Sequence, residues 1–125
     1  MLGSAALVAF VPITSGARAR SFYAETLGLT VVEDTPFALV LRAGDVTVRA
    51  TLVEDLAPQP FTVLGWEVPD VRDLARRLAE AGVEFQRYDG MEQDELGVWT
   101  APDGTLVAWF RDPDGNTLSL NGPAA

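Results

Sequence analysis

The side chains in this sequence that could do chemistry are carboxylates, arginines, hydroxyls and aromatic rings, because its 125 residues include no histidine and no cysteine. Imidazole is the commonest general base near neutral pH and the commonest transition-metal ligand, and thiolate is the main alternative nucleophile and soft ligand. The composition therefore excludes Ser-His-Asp hydrolysis, thiol catalysis, zinc–thiolate sites and iron–sulfur clusters. Lysine is also absent, which excludes Schiff-base chemistry.

One stretch of carboxylates could bind a hard cation through oxygen atoms alone. Asp89, Glu92, Asp94 and Glu95 lie close together in the chain. Ca²⁺ and Mg²⁺ prefer oxygen ligands, but this spacing is not that of a calcium-binding loop. We interpret the stretch as a solvated, mobile acidic loop, and we expect neither a metal ion nor a cofactor.

The excess of acidic over basic residues limits the kinds of molecule that the protein can bind. Eighteen acidic residues against nine basic ones give a net charge of −9, which repels polyanions and attracts cations. We therefore predict no nucleic-acid partner. The apolar stretch at residues 1–11 carries no basic residue and reaches Pro12 too soon to span a bilayer, so we expect a cytoplasmic protein without membrane association.

The helices and strands that must position these side chains are predicted from the hydrophobic periodicity and from the positions of glycine and proline. We expect one domain over residues 1–125, large enough to bury a core without disulfides. Its first half predicts a helix that begins after Thr14 or Ser15 and ends at Gly28. The predicted ranges are a strand at 7–13, the helix at 17–27, and strands at 29–33, 37–42 and 46–53.

The second half repeats this order. Asp70 is placed as the N-cap of a helix over residues 71–81, and Gly82 ends it. Placing Gly28 over Gly82 aligns two modules, residues 7–55 and 61–121. The predicted strands of the second module are 62–68, 83–88, 97–101, 105–111 and 116–121. The sequence thus predicts an α+β fold built from two tandem βαβββ modules.

This doubled module carries three short motifs in order: FY at residues 22–23, LGL at 27–29 and DPDGN at 112–116. In this it resembles the vicinal oxygen chelate superfamily, the group of glyoxalases, bleomycin-resistance proteins and extradiol dioxygenases. The resemblance covers residues 7–121. It implies that the strands curl into an eight-stranded mixed-sheet cup that holds a ligand on its concave face, commonly in a homodimer.

Catalytic members of the superfamily mostly hold a divalent metal through His, Glu or Gln at four strand positions. The resemblance puts these positions on Val8, Arg49, Val63 and Ser119 of this sequence, none of which is such a ligand. It therefore implies a metal-free cup.

Strand alternation extends the expected lining of the cup. The face that carries Val8 also carries Phe10, and the face that carries Val63 also carries Glu67. The resemblance directs Trp109 into the cavity, while Trp99, near the acidic loop, is a candidate rim aromatic. Each has a plain alternative, since a tryptophan can fill a core and Glu67 can lie in water or pair with Arg49. The expected ligand-binding residues are Val8, Phe10, Arg49, Val63, Glu67, Trp99, Trp109 and Ser119.

Three functions remain open at this point. The first is a binding protein that sequesters a small organic molecule, as bleomycin-resistance members do. A cationic, aromatic molecule is one candidate for this ligand. The second is a cofactor-independent lyase, isomerase or epimerase that uses Glu67 as its catalytic acid or base with Arg49. The third is a non-catalytic scaffold whose cup is filled by its own side chains.

Overall fold

The computed structural model describes residues 1–124, which form eight strands and two α-helices. They divide into two compact units, one ending at Ala57 and the other beginning at Pro58. Within this part of the chain, no helix has the length and apolar character needed to cross a bilayer.

The first unit is a four-stranded mixed sheet with one helical segment. Its strands have the order β1-β4-β3-β2, with β1 parallel to β4 and the other pairs antiparallel. Val11, Ile13, Val48, Ala50 and Leu41 alternate onto its buried face. The elements are β1 (Val8–Ile13), α1 (Gly16–Arg20), a π-helical turn (Ser21–Thr26), β2 (Thr30–Asp34), β3 (Ala38–Ala43) and β4 (Val46–Leu52).

The helical segment begins and ends where the sequence predicts. The Ser15 hydroxyl accepts a hydrogen bond from the Arg18 amide, and Gly28 has a φ of +83°. Its second half is π-helical, because the Leu27 amide donates to the carbonyl five residues back, at Phe22. The register shift accompanies burial of Tyr23, which packs edge-on against Phe22 at 5.1 Å.

The second unit repeats the plan of the first. Its sheet has the order β5-β8-β7-β6, with β5 parallel to β8. The Asp70 carboxylate accepts from the Asp73 amide at the start of α2, and Gly82, at a φ of +97°, follows its end. The elements are β5 (Thr62–Glu67), α2 (Val71–Glu80), β6 (Trp99–Thr100), β7 (Leu106–Arg111) and β8 (Thr117–Gly122).

One face of the second sheet forms the core beneath α2. Alternate residues of β7 and β8 are buried there, and α2 contributes its apolar stripe. Trp66, which is half-buried, stacks on the buried Phe110 at 6.4 Å and so lies on the core face of the sheet. The buried residues are Ala108, Phe110, Leu118 and Leu120 of the sheet and Val71, Ala75 and Leu78 of α2.

The predicted α+β class with two βαβββ modules is confirmed, and the strands lie in two four-stranded sheets. The strand predicted over residues 83–88 does not form as a continuous element. Only Phe85 bridges to Phe110, and the Gln86 amide donates to the Trp109 carbonyl at 2.8 Å. Beyond that point, the Tyr88 amide donates to a side chain, that of Gln93, so no ladder continues.

Candidate ligand-binding site

The sheet face opposite the α2 core presents polar and aromatic side chains in register. Trp109 is the ladder partner of Ser119, which is the partner of Gly65. In the next row Val107 pairs with Asn121, which pairs with Glu67. Ladder partners share a face, so the sheet brings Glu67, Ser119 and Trp109 to one surface.

Three aromatic rings gather on this surface. The rings of Trp109 and Trp99 lie 6.1 Å apart at an angle of 36°, and Tyr88 meets Trp109 edge-on at 5.4 Å. These separations fall within the range at which aromatic rings attract one another. We call Tyr88, Trp99 and Trp109 the aromatic cluster.

A hollow of about 220 Å³ opens beside the aromatic cluster. Trp109, Tyr88 and Met91 provide an aromatic and thioether wall, and Phe61, which is 59% exposed, stands at its edge. The polar groups of these lining residues are hydroxyl, indole and backbone groups, as in many small-molecule sites. The lining residues are Pro60, Phe61, Thr62, Tyr88, Met91, Trp109 and Thr117.

Gly65 lets the neighbouring strand approach Ser119 closely. A Cβ atom at position 65 would lie 2.8 Å from the Ser119 Oγ. Real carbon–oxygen contacts are longer, so a side chain there would displace the hydroxyl. The absence of a side chain at position 65 therefore leaves room for the Ser119 hydroxyl beside Trp109 on this face.

Gln93 ties together the two segments that flank the aromatic cluster. Its amide nitrogen donates to the carbonyls of Gln86 at 2.9 Å and Gly97 at 2.8 Å, and its amide oxygen accepts from Tyr88 at 2.8 Å. Its backbone also bridges to Trp99. One side chain thus fixes the segment that carries Tyr88 against the strand that carries Trp99.

Asp94 fixes the end of the same segment. Its carboxylate accepts from the amides of Leu96 and Val98, both at 2.9 Å, and pairs with Arg72 of α2 at 3.0 Å. Burial acts to raise the pKa of Asp94, but the Val98 amide, Arg72 and the Leu96 amide together outweigh it, so its pKa lies below the ordinary value of 3.8. The acidic stretch expected to be a mobile loop is instead tied to its surroundings.

The predicted site residues divide between the two units. The second unit contains Val63, Glu67, Trp99, Trp109 and Ser119; a bulge between Thr62 and Leu64 leaves Val63 outside the paired register, and Glu67 is exposed. The first unit contains Val8, Phe10 and Arg49, with Phe10 the ladder partner of Arg49 on an exposed face.

The four positions that the superfamily resemblance assigns to a metal offer no suitable donor set here. Two are valines, Val8 and Val63, and a third is a cation, Arg49, so only the Ser119 hydroxyl carries a neutral oxygen. Across residues 1–124, no three acidic side chains come together as a group that could hold a metal ion.

Sequence reasoning missed several lining residues. Tyr88 and Met91 lie in an irregular segment with no periodicity to mark them, and Phe61 and Thr62 precede the bulge of β5. The large side chains of Tyr88, just before the acidic stretch, and of Met91, within it, were the only indication that this segment covers a surface.

The sequence was compared with protein-family models and with curated proteins. Residues 7–120 match the family model of the glyoxalase, bleomycin resistance protein and dioxygenase superfamily. No curated protein matches the sequence.

Solved structures of the same fold include proteins of different kinds. TnmS3, an antibiotic binding protein from a Streptomyces species, shares 27% identity over 99% of each chain, with a TM-score of 0.74. A lactoylglutathione lyase from Agrobacterium tumefaciens shares 17% identity over 98% of this chain and 96% of its own, with a TM-score of 0.76. A superfamily member from Sphaerobacter thermophilus shares 22% identity over 98% and 99% respectively, with a TM-score of 0.75.

Proposed function

Because the chain belongs to the glyoxalase, bleomycin resistance protein and dioxygenase superfamily, we propose that it uses this fold to bind a small aromatic molecule without a metal ion. The observation that carries the proposal is the hollow beside the aromatic cluster, with Trp109 in its wall. The ligand is held there by stacking and by burial of apolar surface, and it is not chemically changed.

The composition of the hollow favours an aromatic ligand. Trp109, Tyr88 and Phe61 present ring surfaces, and Met91 adds a polarisable thioether that also packs well against rings. Each aromatic contact contributes about 0.5–1.5 kcal/mol beyond the burial of its area. Several such contacts at once discriminate a planar ligand from an aliphatic one of the same size.

The chemistry of the superfamily metal positions supports binding without a metal. Val8 and Val63 have no donor atom and the Arg49 guanidinium repels a cation, so three of the four positions contribute nothing to a divalent site. The ligand must therefore be held by protein groups alone.

One relative supports a binding role over catalysis. TnmS3, the 27% identical neighbour, is an antibiotic binding protein. The lactoylglutathione lyase, at 17% identity, shares the fold alone. An antibiotic with a planar aromatic part is thus one class of ligand to test first.

The proposal is tested by titrating bleomycin and 2-naphthamide and following the indole N–H signals in proton–nitrogen NMR spectra. We expect saturable shifts of the Trp99 and Trp109 signals with at least one probe, unchanged by EDTA. The Trp109→Ala substitution should lower the affinity at least tenfold, as expected for loss of a stacking anchor.

The matched control is Trp66→Phe, which changes a tryptophan in the core beneath α2 and leaves the hollow intact. Its affinity should equal that of the original chain. Binding that requires added metal, or that survives Trp109→Ala at full strength, would overturn the proposal.

A further inference from the structure

A second hollow adjoins the one beside the aromatic cluster, and it contains a single charged side chain, that of Arg111. Its volume is about 310 Å³, and it is lined by Pro58, Gln59, Pro60, Arg111 and Gly115. Pro60 lines both hollows, so the two share a wall. A ligand held against Trp109 can therefore extend past Pro60 towards Arg111.

The volume of the hollow at Trp109 favours a ligand that extends beyond it. Sites that bury most of a drug-sized molecule measure about 300–1,000 Å³, and the hollow at Trp109 is smaller than that. It accommodates a ring system but not the rest of such a molecule. The two adjoining hollows together fall within the range.

Strand geometry places Arg111 on the same side of the sheet as Trp109. The two residues are two positions apart on β7, which puts them on one face at a spacing of about 7 Å. The ladder partner of Arg111 is Thr117, which lines the hollow at Trp109. The guanidinium is thus within reach of a substituent on a ring that contacts Trp109.

Arg111 is free to take an external partner. It is exposed, and its guanidinium makes no ion pair or hydrogen bond with any residue from 1 to 124. Among residues 1–124, no side-chain carboxylate lines either hollow, although the chain has eighteen acidic side chains. The net charge of −9 disfavours the approach of an anion from a distance, while the contact surface itself offers a cation.

The walls around Arg111 include a turn that packs closely against Pro58. Gly115 has a φ of +88°, and a Cβ atom there would lie 3.0 Å from the Pro58 Cγ, so the close packing of this turn against Pro58 requires glycine. Two prolines with restricted backbone angles and a tight turn thus form this wall, and restricted angles lower the entropy cost of ordering it around a ligand.

We infer that the ligand is a planar aromatic molecule with an acidic oxygen substituent, such as a carboxylate or phenolate, whose ring lies against Trp109 and whose oxygen atoms accept hydrogen bonds from Arg111. This inference rests on the proposed function and narrows its ligand class. A guanidinium binds a carboxylate through two parallel N–H groups and a phenolate through its single oxygen, and the first geometry gives orientation as well as affinity.

Three naphthalene probes of equal shape test the inference: 2-naphthoate, neutral 2-naphthamide and the cation 2-naphthylmethylammonium. Affinities are measured by NMR titration of the Trp109 indole and Arg111 Nε–H signals. We expect 2-naphthoate to bind about fivefold more tightly than 2-naphthamide, a modest factor because Arg111 is exposed and screened by water. The preference should decrease as salt is added.

The Arg111→Gln substitution should remove the preference for 2-naphthoate and leave the affinity for 2-naphthamide unchanged. The matched control is Arg76→Gln, since Arg76 is an exposed, unpaired arginine on α2. It removes the same charge from the molecule and should leave the preference intact. An equal loss in both variants would indicate a general field effect and would overturn the inference.

The remaining outcomes distinguish a failure of this inference from a failure of the proposed function. Equal binding of all three probes, lost in Trp109→Ala, would leave the proposed aromatic-binding function standing and overturn the role of Arg111. Tightest binding of the ammonium probe would also overturn it. If no probe binds and bleomycin does not bind either, the proposed function falls and the inference falls with it.

Discussion

The side-chain oxygen of Gln93 accepts a hydrogen bond of 2.8 Å from the backbone amide of Tyr88. The same side chain donates to the carbonyls of Gln86 and Gly97. Both amide hydrogens and the amide oxygen of Gln93 therefore have partners within the protein. The position of Tyr88 in the wall of the hollow therefore depends on a residue that does not itself line the hollow.

We predict that Gln93→Glu destabilises the protein by about 2 kcal/mol at neutral pH. The introduced carboxylate still accepts from Tyr88, but it cannot donate to the two carbonyls that it faces. On acidification the carboxyl becomes protonated and can donate to one of them, so part of the loss should be recovered. Urea unfolding at several pH values measures the effect.

The neighbouring substitution Glu92→Gln is the control, because Glu92 is exposed and its change alters the charge without touching these bonds. It should change the stability by less than about 0.5 kcal/mol. Equal stability of Gln93→Glu and the original chain at neutral pH would contradict the role assigned to Gln93.

The lowered pKa of Asp94 predicts how the stability of the fold changes with pH. Its pKa is lowered in the folded protein, so the carboxylate stabilises the fold above the unfolded value of 3.8, and this contribution is lost as pH falls through the lower folded pKa. Asp94→Asn should cost about 1 kcal/mol at neutral pH and flatten the stability curve below about pH 4. Thermal unfolding between neutral and acidic pH checks both.

Asp73→Asn is the matched control for Asp94. Its carboxylate lies 3.8 Å from Arg77 in an exposed pair on the surface of α2, which contributes little. Its stability curve should follow that of the original chain in the acid range. A steeper acid loss in Asp94→Asn than in the original chain would reverse the predicted sign.

Gly65→Ala should be destabilising through a single contact. The added methyl would meet the Ser119 Oγ at an exposed position where the hydroxyl can rotate, so the cost should be about 1 kcal/mol, the lower end for an added carbon. Combining it with Ser119→Ala removes the oxygen that the methyl meets, so the double variant should be more stable than the sum of the two single changes implies. Chemical denaturation of the four proteins measures the coupling; strict additivity would show that the contact relaxes elsewhere.

Asp112 should be a structural residue and not a binding one. It is 5% exposed, and its carboxylate accepts from the amides of Asp114 and Asn116 and from the Asn116 side chain. Asp112→Ala leaves these donors without an acceptor, so the free energy of unfolding should fall by about 2–3 kcal/mol. The folded fraction should bind the probes with unchanged affinity. Asp114→Ala, which leaves those acceptors in place, should be far milder. A loss of affinity without a loss of stability would assign Asp112 to the site instead.

Local chemistry predicted most of the fold. Gly28 and Gly82 both adopt the left-handed conformation that ends a helix, and Ser15 and Asp70 both cap one, since each needs only its own neighbours in the chain. The π-helical turn could not be predicted, because it depends on how Tyr23 is buried.

The candidate site was less accessible to prediction. Alternation and the superfamily resemblance brought Trp109 and Ser119 to one face, and the structure places them as ladder partners. Tyr88 and Met91 reach the hollow through an irregular segment whose path is fixed by Gln93. Such a path depends on hydrogen bonds between distant segments, for which a single sequence holds no pattern.

The outer strands of the two sheets have a further consequence. β1 contains Pro12, which has no amide hydrogen to offer; β2 and β5 each carry a bulge; and β6 is only two residues long. Proline, bulges and short length all prevent one sheet edge from adding to the edge of another molecule. With a net charge of −9 repelling like molecules, the chain is built to resist fibril formation at high concentration.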